Sequence, residues 1–120
     1  MAGVKRLGLM LFTAIFLTGG LGQAQQPTSR AETARKAGLP IDDDLVRLSG
    51  WTMIACALAL QAGSLRRLAA LTLALMLPPV TYAGHRFWEA EPGPQRDAQR
   101  VHFFKNVSLT GAALYIAANG

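Results

Sequence analysis

The apolar residues of this chain fall into four blocks, and almost every charge lies between them. That distribution constrains the fold more than any motif does. A helix crosses a bilayer with about 17–25 mainly apolar residues. The blocks at 4–23, 45–62, 66–88 and 101–118 are each of roughly that size and use up most of the 120 residues. Too little chain remains for a separate soluble domain with its own core. Charged residues make up only 16% of the chain, against about a quarter in a soluble domain. The expected fold class is therefore all-α: a single membrane domain, 1–120, built as an integral membrane four-helix bundle.

The first block carries Lys5 and Arg6 at its start and no charge from Leu7 to Leu21. A basic start, a short apolar stretch and Gly22-Gln23-Ala24 also fit a cleaved signal peptide. The reading adopted is a retained first helix. Residues 25–44 are polar but ordered in pattern. Ser29 and Glu32 have the spacing of a capping box, and Gly38 with Pro40 stops a helix. A short interfacial helix is expected from about Arg30 to Ala37. Asp42, Asp43 and Asp44 then precede the second block, where the helix dipole favours carboxylates. No histidine or further acid cluster stands near them to make a metal site.

Arg47 and Trp51 lie early in the second block, placed to snorkel and to sit at an interface. Cys56, the only cysteine, forms no disulfide within the chain and reads as a small apolar residue. Gly63, Ser64, Arg66 and Arg67 make a basic turn. Pro78 and Pro79 interrupt the third block, and a kink or break is expected there. Small residues recur four apart at Ala55 and Ala59, Ala70 and Ala74, and Ala113 and Ala117, a spacing that permits close helix approach in a bilayer. Residues 91–100 read as a polar loop.

The net charge is +5. The basic residues flank apolar blocks and have no aromatic platform outside them, so they read as membrane anchors; the expected partner is the lipid bilayer and not nucleic acid. Alternating helices put the N-terminus, the Arg66–Arg67 turn and the C-terminus on one side. That side has Lys5, Arg6, Arg66 and Arg67 and no acid; the other has the remaining basic residues and every acid. Total Lys and Arg favour the second side as cytoplasmic, whereas basic density in short segments and the first helix favour the first. The expectation adopted is a bacterial inner membrane with both termini cytoplasmic.

His85, Arg86, Trp88, Glu89, His102, Lys105 and Asn106 gather at one end of this arrangement. His85 and Glu89 are one turn apart if the third helix continues, and His102, Lys105 and Asn106 share about one turn of the fourth. Ionisable residues just inside a span point to a functional site, here a small polar pocket whose histidines exchange protons. The bland alternative is structural: snorkelling cations, an aromatic belt, and Glu89 paired with Arg86 or Lys105. Two histidines and one glutamate are an incomplete metal set, so no metal is expected, and no catalytic residue is assigned.

Several segments carry a family resemblance: Leu7–Leu21, Ala37-Gly38-Leu39-Pro40, Gly63-Ser64-Leu65-Arg66-Arg67-Leu68-Ala69-Ala70, His85-Arg86-Phe87-Trp88 and His102-Phe103-Phe104-Lys105-Asn106. On these the sequence resembles the DoxX family of small four-helix membrane proteins. It departs at Gly111-Ala112, where such proteins often have a glycine pair. The family takes its name from a subunit of a thiosulfate:quinone oxidoreductase. The resemblance implies a four-helix bundle and an association with membrane redox complexes and sulfur or oxidative-stress chemistry. A shared fold does not transfer an activity. The expected function is a redox-associated subunit presenting the polar pocket to a quinone or a partner oxidoreductase. No complete haem, flavin or iron–sulfur motif is present, so electrons need a quinone or a partner. The alternative is a non-catalytic accessory or assembly subunit, with a protein partner or a homo-oligomer.

Overall fold

The structure is a computed structural model describing all residues, 1–120. It contains five α-helices and no strand: α1 (Ala2–Gln25), α2 (Pro27–Lys36), α3 (Asp43–Ala59), α4 (Arg66–Gly84) and α5 (Pro94–Asn119), with a 3-10 turn at Phe87–Glu89 between the last two. Two segments, Ala2–Gln25 and Arg66–Glu89, are long and apolar enough to cross a membrane. They correspond to the expected spans 4–23 and 66–88. The helix expected at 45–62 is shorter, 17 residues, and α5 spends its first turns on polar residues.

The local chemistry explains most boundaries. Asp42 caps α3, its Oδ1 accepting from the Leu45 amide at 2.8 Å, with Asp43 and Asp44 in the first turn. This is the role expected for the three aspartates. The α2 helix ends as Gly38 and Pro40 predicted. Gly38 has φ +86°; its amide donates to the Arg35 carbonyl, and the Leu39 amide to the Ala34 carbonyl. These two bonds close the last turn with a left-handed residue, which glycine adopts without steric cost.

Three expectations are corrected. The capping box at Ser29 and Glu32 does not form: α2 starts at Pro27, Gln26 is its cap, and no side chain caps it. Proline at the first helical position lacks the amide that would need capping, so Ser29 and Glu32 fall inside the helix. Second, of the kink or break expected at Pro78 and Pro79 the break does not occur, and α4 continues to Gly84. Third, α5 begins well before Val101. Gly93 (φ +141°) and Pro94 start it, and residues 94–100, read as loop, are helix.

The four long helices run alternately up and down. The α1–α3 pair is locked by glycines: a Cβ on Gly50 would stand 2.5 Å from the Gly20 carbonyl oxygen. Thr13 Oγ1 donates to the Leu9 carbonyl at 2.7 Å, lies 3.4 Å from the Ala57 carbonyl across the joint, and accepts from Gln61 Nε2 at 2.9 Å. The second close pair is α4–α5, and α3 meets α4 more briefly. The core runs across these joints through Phe16, Met53, Ala57, Leu60, Leu73 and Leu77. No close backbone approach joins α1 to α5. The long helices therefore neighbour one another in the order α1, α3, α4, α5.

The ends are chemically distinct. Ala2, Lys5, Arg6, Gln61 and Arg66 border one shallow hollow, and Arg66 Nη1 donates to the Gly120 carbonyl at 3.1 Å. Both termini and the α3–α4 turn thus share one end, as helix alternation predicts. Helix α2, the start of α3 and the α4–α5 connection share the other.

Candidate functional site

The α4–α5 connection assembles the polar end. Helix α4 stops at Gly84, so His85 is the cap residue and not part of a continuing helix. The expected His85–Glu89 turn-to-turn pairing is absent for that reason. Glu89 instead meets Arg86 through two bonds, at 3.0 and 3.2 Å. The Arg86 guanidinium also lies 5.5 Å from the Tyr82 ring centroid. This forked pair occupies Arg86, and the geometry is the structural reading of those two residues.

The 3-10 turn then folds an aromatic cluster onto α5. Phe87 packs on Phe103 at 5.4 Å, edge to face, and Trp88 on the same ring at 5.7 Å. Phe104 extends the cluster, while Trp88 stays exposed. Edge-to-face pairs at these distances are favourable beyond the area they bury. They fix the connection against α5 and so set where His85 sits.

His85 lies against α5. Its ring stacks on His102, centroids 5.2 Å apart, and its Nδ1 is 2.6 Å from Gln99 Oε1. With the amide oxygen as acceptor, Nδ1 carries the proton and Nε2 keeps a free lone pair. Gln99, His102 and Asn106 are spaced three and four apart, one face of α5. Lys105 is half-buried on the same stretch. Asn106 is only 6% exposed, and its side-chain amide has no hydrogen-bond partner within the chain, although its carbonyl accepts from Thr110. No fully enclosed polar side-chain atom lacks a partner. The Asn106 amide therefore reaches a space that a water or ligand atom can enter.

The structure thus brings His85, His102 and the Lys105–Asn106 turn together and turns Arg86 and Glu89 to each other. Sequence reasoning missed Gln99, the partner that sets the His85 proton. Its spacing to His102 and Asn106 was visible, but only once residues 94–100 are helical. No three His, Cys, Asp or Glu side chains converge on a common point. His85 also borders a cavity of about 630 Å³ that reaches between α1, α2, α3 and α4.

The family model for DoxX matches residues 6–86. The chain belongs to the DoxX family. The match runs from α1 through His85 and Arg86; α5, with His102, Lys105 and Asn106, lies beyond it. Neither the curated proteins nor the solved structures give a match. DoxX membership and the two apolar helices together point to a membrane protein.

Proposed function

We propose that this DoxX protein is a four-crossing integral protein of a bacterial inner membrane, with α1, α3, α4 and α5 as its spans. In this reading it is a redox-associated subunit that offers the α4–α5 end to a quinone or to a partner oxidoreductase. The outward apolar side chains support bilayer embedding: Leu11, Leu68, Leu75 and Val107 are all exposed, as lipid-facing residues are.

The observation that carries the site is the Asn106 amide, on a residue only 6% exposed, without a partner in the chain and one turn from stacked histidines. Such an amide is suited to a carbonyl or hydroxyl oxygen. Lys105 adds positive charge, and the free lone pair on His85 Nε2 can take a proton. The protein supplies position and a base that takes up a proton; a quinol or the partner supplies the electrons.

Decylubiquinone titrated into the purified protein in phosphatidylcholine nanodiscs, followed by tryptophan fluorescence, tests this. Saturable quenching is expected, with affinity at least tenfold weaker in Asn106→Leu and His85→Ala at unchanged helicity. Absence of saturable quenching together with no oxidoreductase co-purifying in mild detergent overturns it. A second reading, an accessory or assembly subunit, is favoured by the closed Arg86–Glu89 pair and by the open side between α1 and α5. A stable partner whose activity survives both His85→Ala and His102→Ala selects that reading.

A further inference from the structure

The cavity between α1, α2, α3 and α4 has a chemistry that the histidine pair does not explain. Its volume, about 630 Å³, lies within the ~300–1,000 Å³ of small-molecule sites. Its lining includes the apolar side chains of Ile41, Leu45, Met76 and Val80 together with Gln23 and the exposed Ser29, Arg30 and Thr33. No aspartate or glutamate lines it.

Arg30 is exposed and stands at the rim of the cavity. Its Nη1 donates to the Gln26 carbonyl at 3.0 Å. The guanidinium rests on the backbone of Gly22, where a Cβ would stand 2.5 Å from Nη2. It has no carboxylate partner: the ion pairs of the chain are Arg47–Asp44, Arg86–Glu89 and Arg100–Asp97. Gln23 is an independent sign. It is 9% exposed, lies on the cavity wall and makes no side-chain hydrogen bond. Since no fully enclosed polar atom is left without a partner, its amide is accessible from outside the packed core. A cation at the rim without an acid partner, an amide without a partner, no acid and an apolar share of the lining describe a receptor for one kind of molecule. A guanidinium fork matches carboxylate and phosphate oxygens, and the apolar lining matches a hydrocarbon chain.

We infer that this cavity binds an amphiphile with a single anionic head, carboxylate or phosphate, held by Arg30 and Gln23, with its acyl chain along Ile41, Leu45, Met76 and Val80. The site shares only His85 with the stacked histidines and is independent of the quinone reading.

The test uses the full chain in phosphatidylcholine nanodiscs, with diazirine-bearing palmitate or diazirine-bearing phosphatidylglycerol. After irradiation, peptide mass spectrometry is expected to place the label within 41–49 and 76–83. The label falls at least fivefold in Arg30→Gln and in Val80→Trp, which fills the cavity without touching Arg30. Palmitate labelling alone assigns a free fatty acid, and phosphatidylglycerol labelling alone assigns a membrane lipid; either supports the site. If Arg30→Gln loses helicity by circular dichroism, Val80→Trp decides alone. Label confined to outward residues such as Leu71 and Leu75 overturns the inference. So does undiminished label in Val80→Trp, or equal label from a diazirine-bearing phosphatidylcholine.

Discussion

At the scale of single residues, the tightest joint in the molecule is made by the absence of side chains. A Cβ on Gly50 would meet the Gly20 oxygen at 2.5 Å and the Ala24 amide nitrogen at 2.7 Å. Both obstacles are backbone, so neither can swing aside. Gly50→Leu is therefore expected to force α1 and α3 apart and to cost about 1–3 kcal/mol, the usual penalty of overpacking. Thermal unfolding in detergent, followed by circular dichroism, reads this as a lower midpoint. Gly111→Ala is the control, because a Cβ there meets nothing within 4 Å; an equal loss in both variants would contradict the glycine joint. The alanine pairs singled out in the sequence lead elsewhere. Ala70, Ala74 and Ala113 are buried, whereas Ala55 is exposed. Four-residue spacing is the same on every face of a helix, so it could not say which small residues face a neighbour.

At the scale of elements, what was legible depended on whether a boundary is set locally. Asp42 at the head of α3 and Gly38 at the foot of α2 act through their own backbone neighbours, and both were readable. Asp42→Ala is expected to remove about 1 kcal/mol, a typical cap loss. A fall in the unfolding midpoint, restored by Asp42→Asn or Asp42→Ser, checks it; no fall would mean that Asp43 and Asp44 suffice. The start of α2 was misplaced because two local signals overlap, and Pro27 outranks Ser29. The polar start of α5 was hidden for a different reason. Residues 94–100 have no apolar stripe of their own, and that stretch is held by Pro94, by Asp97 in its first turn, and by the His85–Gln99 bond. A bond between residues 85 and 99 leaves no trace in local pattern. The same fact explains the candidate site: His85, His102 and Asn106 were visible as a cluster, and Arg86 as one of two partners open to Glu89, but Gln99 was not.

At the scale of the whole molecule, the alternation of helices makes a statement that can be checked without knowing any ligand. Ser64 lies in the turn at the end shared by the two termini, and Gln95 lies at the opposite end, in the first turn of α5. If the four long helices all cross, a bilayer separates these two positions. Cys56 is the only native cysteine, so Cys56→Ser gives a clean background for Ser64→Cys and Gln95→Cys. The charge distribution divides between two answers: the Gln95 end has more basic residues in total, but it also holds every acid, while the Ser64 end has Lys5, Arg6, Arg66 and Arg67 undiluted. Orientation follows basic residues in short segments near the spans, with acids counting little. With both termini cytoplasmic, a membrane-impermeant maleimide added to spheroplasts labels Gln95→Cys, and labels Ser64→Cys only after permeabilisation. The reverse pattern keeps four crossings and inverts the protein. Labelling of both positions in intact spheroplasts would put the two ends in one compartment, and an array whose long helices alternate end to end cannot then be spanning the bilayer.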